Sequence, residues 1–241
     1  MSGNFRVEIM FSSKSTNTGF TLIEMLIVIA ITAILTAIAL PGMERMIASQ
    51  RINNRADQMF ALFQFARAEA IRTNKPVLIC PTVIRKNTAN PNACSQFNNY
   101  QNGLGWQGFL AFNDADMDGT YKANPTSPDS PVRVVALNQN TDNINKIKVK
   151  LRWQTCNARV ACGGTITGNK LLGFMPNGRF GIGDGKNADD WSIGQSNLVI
   201  EIIDSRNVNI NRRIVITPSG KPVACKNGAD NTNSFCTVQL S

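Results

Sequence analysis

From Phe20 to Leu40 the chain reads FTLIEMLIVIAITAILTAIAL, a run of 21 residues. At about 1.5 Å of rise per residue, a helix of this length suits the hydrocarbon core of a bilayer. Its single charge is Glu24, near the start of the run, where a carboxylate in lipid is costly unless it is neutralised or paired. An ordinary secretory signal has a basic n-region, a shorter apolar stretch and a small-residue cleavage site beyond it. Here the order differs. The preceding stretch, MSGNFRVEIMFSSKSTNTG, is polar near the junction, contains Lys14 and ends in Gly19. A small-residue cut therefore falls before the apolar run, keeps the helix and leaves a new amino group on Phe20.

After Pro41 the apolar residues continue as Met43, Met46, Ile47, Ile52, Ala56, Met59, Phe60, Phe63, Ala66, Ala70 and Ile71, mostly in steps of three and four. This spacing predicts an amphipathic helix, with Arg45, Arg51, Arg55, Arg67 and Arg72 facing away from the stripe. The two halves together make a helix of roughly 54 residues, about 80 Å long, with a bend expected at Pro41. The first half is expected to enter a membrane, and the second to pack on a globular domain.

From Lys75 the pattern becomes short apolar runs broken by Gly, Pro, Asn and Asp, which predicts strands joined by turns. Expected strands are Pro76 to Cys80, Trp106 to Phe112, Val132 to Leu137, Ile147 to Trp153, Leu171 to Met175, Leu198 to Ile203 and Arg213 to Thr217, all antiparallel. The long polar segments Asn87 to Gly105 and Gly181 to Gly194 are expected to be exposed loops.

Composition narrows the chemistry. The chain has 241 residues, with 25 Lys and Arg against 16 Asp and Glu, for a formal charge of +9. That balance favours anionic partners, although the cations are scattered rather than blocked. No His occurs, which removes imidazole catalysis, the Ser-His-Asp triad and His-ligated metals. No Ser-x-x-Lys motif with its usual partners is evident, and no enzymatic activity or cofactor is expected. Six cysteines, Cys80, Cys94, Cys156, Cys162, Cys225 and Cys236, form three sequence neighbours without Cys-x-x-Cys spacing, which favours disulfides in an oxidising compartment. Six cysteines permit 15 connectivities. Pairing within each couple is one of them.

Gly19-Phe20-Thr21-Leu22-Ile23-Glu24, followed by the apolar run and Pro41, closely resembles the class III signal of type IV prepilins and type II secretion pseudopilins. The resemblance implies that prepilin peptidase cuts between Gly19 and Phe20 on the cytoplasmic side and methylates the Phe20 amine. It also implies that Glu24 pairs with the free N-terminal amine of a neighbouring subunit during assembly. Further along, ARAEAIRTNKPVLIC, GWQGFLAFND, LGFMPNGRF and IVITPSGKPVAC resemble the FimT/FimU and GspH minor pilins, in order along most of the chain.

The implied fold is α+β and type IV pilin-like: a long N-terminal helix packed on an antiparallel β-sheet head with disulfide-stabilised loops. Its expected divisions are a leader at 1–19, a transmembrane and filament-core half-helix at 20–41, an amphipathic half-helix at 42–74 and a β-rich head at 75–241. The implied function is that of a minor pilin in the assembly or initiation of a type IV pilus, serving twitching, adhesion or natural transformation. A pseudopilin of a type II secretion system is the structural alternative. Partners would be other minor and major pilins, prepilin peptidase and the inner membrane, with the head periplasmic before assembly and extracellular after it.

Two further segments bear on ligands. Some FimT-like pilins bind DNA through a C-terminal Gly-Arg-x-Arg motif; the matching stretch here, Gly220-Lys221-Pro222-Val223, keeps only the first basic position, as Lys. Arg212, Arg213, Lys221 and Lys226 remain candidates for a small phosphate-contacting patch, giving weak, salt-dependent, non-specific DNA binding. Asn113-Asp114-Ala115-Asp116-Met117-Asp118-Gly119 resembles the opening of a calcium loop, but Pro125 stands where the bidentate Glu belongs. A hairpin turn is the expectation there, and no metal.

Overall fold

A computed structural model describes residues 19–82, 94, 97, 108–122, 126–138, 147–154, 164–166, 168, 170–183, 190–225 and 236. One helix, α1, runs over Leu22–Thr73 and continues through Pro41. Thr21 starts it and Asn74 ends it: at φ 53° Asn74 takes the left-handed conformation that commonly terminates helices, and Pro76 follows shortly after. The chain forms two compact units, one ending at Arg45 and the other spanning Met46–Ser241.

In the first unit, every apolar side chain described from Phe20 onward is exposed, all round the helix. In the second, α1 buries a stripe of Ile52, Ala56, Met59, Leu62, Phe63, Ala66 and Ala70. The spacing is helical, and the three alanines let sheet residues approach the helix axis. The observed stripe differs from the expected one at its ends. Met43, Met46, Ile47 and Ile71 are exposed, and Leu62 joins the core.

Among the described residues eleven strands follow: β1 Val77–Thr82, β2 Gly108–Asn113, β3 Ser130–Ala136, β4 Ile147–Gln154, β5 Gly164–Thr165, β6 Leu171–Phe174, β7 Phe180–Gly183, β8 Ser192–Ile193, β9 Asn197–Asp204, β10 Asn211–Ile216 and β11 Pro222–Cys225. They divide between two antiparallel sheets, in the orders β3-β2-β1-β6-β7-β8 and β11-β10-β9-β4-β5. The inner faces share one core with α1, where Phe63 meets Phe174 edge-on at 6.2 Å and Phe174 meets Phe180 at 5.5 Å. Burying each such side chain stabilises the fold by about 1.5–3 kcal/mol. Strand β1 is buried on both faces because Leu78 and Cys80 join a second, smaller cluster with Leu110, Phe112 and Leu171. A strand covered on both sides loses the apolar-polar alternation, which is why VLIC reads as a continuous apolar run.

The segment Gly181 to Gly194 is a correction to the expected exposed loop. Its described ends are strands β7 and β8, and Gly181 and Gly183 are buried. The glycines that suggest a loop are there for Trp191: a Cβ on Gly183 would lie 2.4 Å from the indole. Much of Asn87 to Gly105 lies outside the described residues. Phe97 within it is fully buried, and its N–H donates to the Gly168 carbonyl at 3.1 Å.

Two of the arginines expected to face solvent reach the head instead. Arg51 Nη1 lies 3.7 Å from the buried Asp204 carboxylate. Arg67 donates from Nε to the Gly178 carbonyl at 3.1 Å and from Nη2 to the Ser219 carbonyl at 3.3 Å. These acceptors sit in two matching hairpin turns, Met175-Pro176-Asn177-Gly178 between β6 and β7, and Thr217-Pro218-Ser219-Gly220 between β10 and β11. Each is closed by a 2.8 Å bond from the glycine N–H to the first residue's carbonyl. Arg67 thus joins one turn from each sheet to the helix.

Gly220 has φ 82°, and a Cβ there would stand 2.0 Å from the Gly178 carbonyl oxygen. Gly220→Ala is therefore expected to destabilise the head by at least about 2 kcal/mol through backbone strain and the clash. Thermal unfolding should register this as a Tm drop of roughly 4–8 °C. An unchanged Tm would mean that the two turns do not meet.

Candidate functional site

The N-terminal motif is built on the first turn of α1. The Glu24 N–H donates to Thr21 Oγ1 at 3.3 Å, and the Met25 N–H to the Thr21 carbonyl at 3.3 Å, so Thr21 is the N-cap. Glu24 sits in the first turn, where a carboxylate is favoured by the helix dipole. This cap is absent from the expectations above, although its Thr-x-x-Glu signature is legible. Further along, the Thr32 hydroxyl donates to the Val28 carbonyl at 2.9 Å and Thr36 to the Thr32 carbonyl at 2.7 Å. Both hydroxyls are thereby satisfied within the helix, as lipid requires. Gly19 and Phe20 are exposed, leaving the expected cut site and the atom expected to be methylated open to solvent.

Of the candidate DNA-contacting residues, the two arginines do not share a face. Arg212 and Arg213 are neighbours in β10, so their side chains leave opposite faces of the sheet. Arg213 is moreover a strut. Its Nη2 lies 2.7 Å from Glu201 Oε1 on β9, and its Nη1 donates to the Cys236 carbonyl at 3.3 Å. Lys221 is exposed beside the β10–β11 turn, and Lys226 lies outside the described residues.

Disulfides join Cys80 to Cys94 and Cys225 to Cys236, with Cα separations of 5.5 and 5.7 Å. Cys225 and Cys236 pack with Val199, Val215 and Val223 on the outer face of the second sheet, so the bridge holds Cys236 against that face. Cys156 and Cys162 lie outside the described residues.

In the loop after β2, Asp114, Asp116 and Asp129 bring one carboxylate oxygen each to within 4.8 Å of one another. The group is occupied with its own chain. Buried Asp114 accepts from the Asp118 N–H at 3.2 Å and the Gly119 N–H at 3.0 Å, and Asp129 accepts from the Ala115 N–H at 3.1 Å. Lys122 Nζ bridges Asp118 and Asp116, lying 2.9 Å from the latter. Those hydrogen bonds, Asp118 first, hold the Lys122 ammonium above its ordinary range, while Lys122 lowers Asp116. Burial pushes Asp114 up to about 6, against the opposing pull of the Gly119 amide. Asp118, a ligand in a calcium loop, serves as a turn acceptor here: its Oδ1 takes the Thr120 N–H at 2.8 Å.

The family model described as type II transport protein GspH matches residues 55–236, and the prokaryotic N-terminal methylation motif matches residues 14–40. Two crystal forms of the type IV minor pilin FimU from Pseudomonas aeruginosa strain PAO1 are similar in structure. One has 13% identity and a TM-score of 0.40 over 78% of this chain and 96% of that one. The other has 14% identity and a TM-score of 0.37 over 76% and 98%. No curated protein matches the chain.

The raised Asp114 value carries a pH signature. A carboxyl whose folded-state pKa exceeds its unfolded value stabilises the fold in full below the unfolded value, near 3.8, and that contribution is lost as pH rises through about 6. Asp114→Asn cannot titrate. The stability of the variant relative to the parent is therefore expected to increase between pH 4.5 and 7.5, by at most about 3 kcal/mol. Chemical denaturation at the two pH values measures this, and a constant difference would place Asp114 at an ordinary pKa.

Proposed function

The chain belongs to the GspH family of minor pilins and pseudopilins, and from that premise we propose that it is a structural subunit of a type IV pilus, incorporated by way of its N-terminal helix. The observation that carries this reading is the part of α1 from Leu22 to Leu40, apolar around its circumference, exposed along its length and headed by a lone carboxylate at Glu24. Water is a poor solvent for such a surface, and a bilayer or a bundle of like helices is a good one.

Cleavage after Gly19 by prepilin peptidase would put an ammonium on Phe20, four residues before Glu24. Within one subunit the Glu24 amide is engaged with Thr21, while its carboxylate remains available to a neighbour. Bringing a carboxylate and an ammonium together in lipid avoids the cost of leaving either alone, and so sets the stagger between adjacent helices. The head then stands in the periplasm before assembly and outside the cell after it. The divisions 1–19, 20–41, 42–74 and 75–241 follow as leader, membrane half, packing half and head. The work is assembly, with no reaction catalysed.

A pseudopilus of the type II secretion system is the second reading, favoured by the description of the matching family. Deleting the gene separates the two. Loss of surface pili and twitching with protein secretion intact supports the pilus; the reverse result assigns the subunit to secretion.

Mass spectrometry of the mature chain is expected to find methylated Phe20 as its first residue. Glu24→Ala and Glu24→Gln should both be processed, yet enter filaments at least about tenfold less than the parent, because each leaves the neighbour's ammonium unpaired. Normal incorporation of the Gln variant would reduce Glu24 to a helix-capping residue.

A further inference from the structure

Asparagine followed by glycine occurs at Asn102-Gly103, Asn177-Gly178 and Asn227-Gly228. Among the described residues the pair is Asn177-Gly178, in the β6–β7 turn. This dipeptide is chemically labile. The glycine nitrogen, unhindered by a side chain, attacks the Asn Cγ; an N–Cγ bond forms, the Cγ–Nδ2 bond breaks and ammonia leaves. Water then opens the five-membered succinimide at either carbonyl, giving aspartate or a β-linked isoaspartate.

The fold holds both reacting groups off that path. The Gly178 N–H donates to the Met175 carbonyl at 2.8 Å, and Asn177 has no positive φ, so Met175 to Gly178 form a type I turn with Pro176 and Asn177 at its centre. The second central residue of such a turn has ψ near about 0°. Ring closure needs Cβ and the next nitrogen nearly eclipsed about the Cα–C bond. For an L-residue this means turning ψ by roughly a third of a rotation, which breaks the turn. Asn177 is pinned further, because its Oδ1 accepts the Arg179 N–H at 3.0 Å. Gly178 is buried, and its carbonyl accepts from Arg67 Nε at 3.1 Å. The Asn177 side chain is exposed, so water is at hand once the turn opens. The matching turn between β10 and β11 has Ser219 at this position, which cannot form a succinimide.

We propose that Asn177 is a deamidation site gated by the fold: closed while Arg67 holds the β6–β7 turn, reactive when the turn opens, and locked open once it has reacted. An isoaspartate inserts one methylene into the main chain directly before Gly178. That shifts the Gly178 carbonyl away from Arg67 and against Gly220, where a single Cβ would already stand 2.0 Å from the same oxygen. A head that opens for long enough thus carries a chemical mark and cannot close the same junction again. The inference concerns the head alone and holds whichever machine the subunit joins.

The test keeps the full chain in mild detergent and mildly alkaline buffer, with and without urea, and follows isoaspartate at position 177 by peptide mass spectrometry. Its formation is expected to be at least about tenfold slower in the folded chain than in the unfolded one, because reaction passes through an open state. Arg67→Gln should raise the folded-chain rate by about fivefold or more, while a cooperative melt shows that the head still folds. Asn177→Ser should fold like the parent and form no isoaspartate. Chains carrying isoaspartate at 177 should melt roughly 4 °C or more below the parent. Asn177→Asp, which adds the charge without the methylene, should melt close to the parent. Equal rates in the folded and unfolded parent overturn the gate, and that comparison stands even where Arg67→Gln fails to fold. A folded Arg67→Gln chain that reacts at the parent rate overturns the assignment of the gate to Arg67. A parent-like melt of the isoaspartyl chain overturns the lock.

Discussion

One helix in this chain serves two solvents, and the rest of the structure is arranged around that constraint. Up to Leu40 it is apolar on every side but for Glu24; from Ile52 onward its apolar residues narrow to one stripe. A surface of the first kind is stable only among hydrocarbon or other helices, and one of the second kind only against a folded partner. The head supplies the partner for the second half. The exposed segment must therefore be covered by something outside the chain, which is the physical content of membership in a family of filament subunits.

The head in turn is organised by how it holds the stripe. Two sheets converge on α1, and Arg67 fastens one turn from each to the helix through their carbonyls. A Cβ on Gly220 would strike the Gly178 carbonyl oxygen, and Gly178 has φ 76° with its α-carbon facing Ile71 and Arg67, so both Pro-x-Gly turns end in glycine, each for its own reason. The motifs LGFMPNGRF and IVITPSGKPVAC, which look unrelated in the sequence, are the two sides of one junction.

Legibility followed the range of the forces involved. The helix was readable because its pattern is local, and so were the strands with long aliphatic runs, such as β1, β4 and β9. Strands β7 and β8 were not, since their glycines and polar residues make sense only beneath Trp191, whose position is a tertiary fact. Arg51 and Arg67 were misplaced for the same reason: a charged residue off an apolar stripe is expected in water until a buried carboxylate or a pair of carbonyls comes within reach. The N-terminal motif was legible as a pattern, while the Thr21 cap went unread although its spacing encodes it. For the basic candidates the sequence hides a geometry that a strand imposes, because neighbours such as Arg212 and Arg213 cannot share a face.

The strand order has a temporal side. Strands β4 and β5 belong to the second sheet, yet their neighbour β9 is made only after β6, β7 and β8 have completed the first. During synthesis or translocation the β4–β5 pair must wait, with one flank open, while some thirty residues that include the rest of the other sheet pass by. Its cationic side chains make that waiting edge a poor template for a neighbouring chain, so the charges that decorate the finished surface also guard the unfinished one.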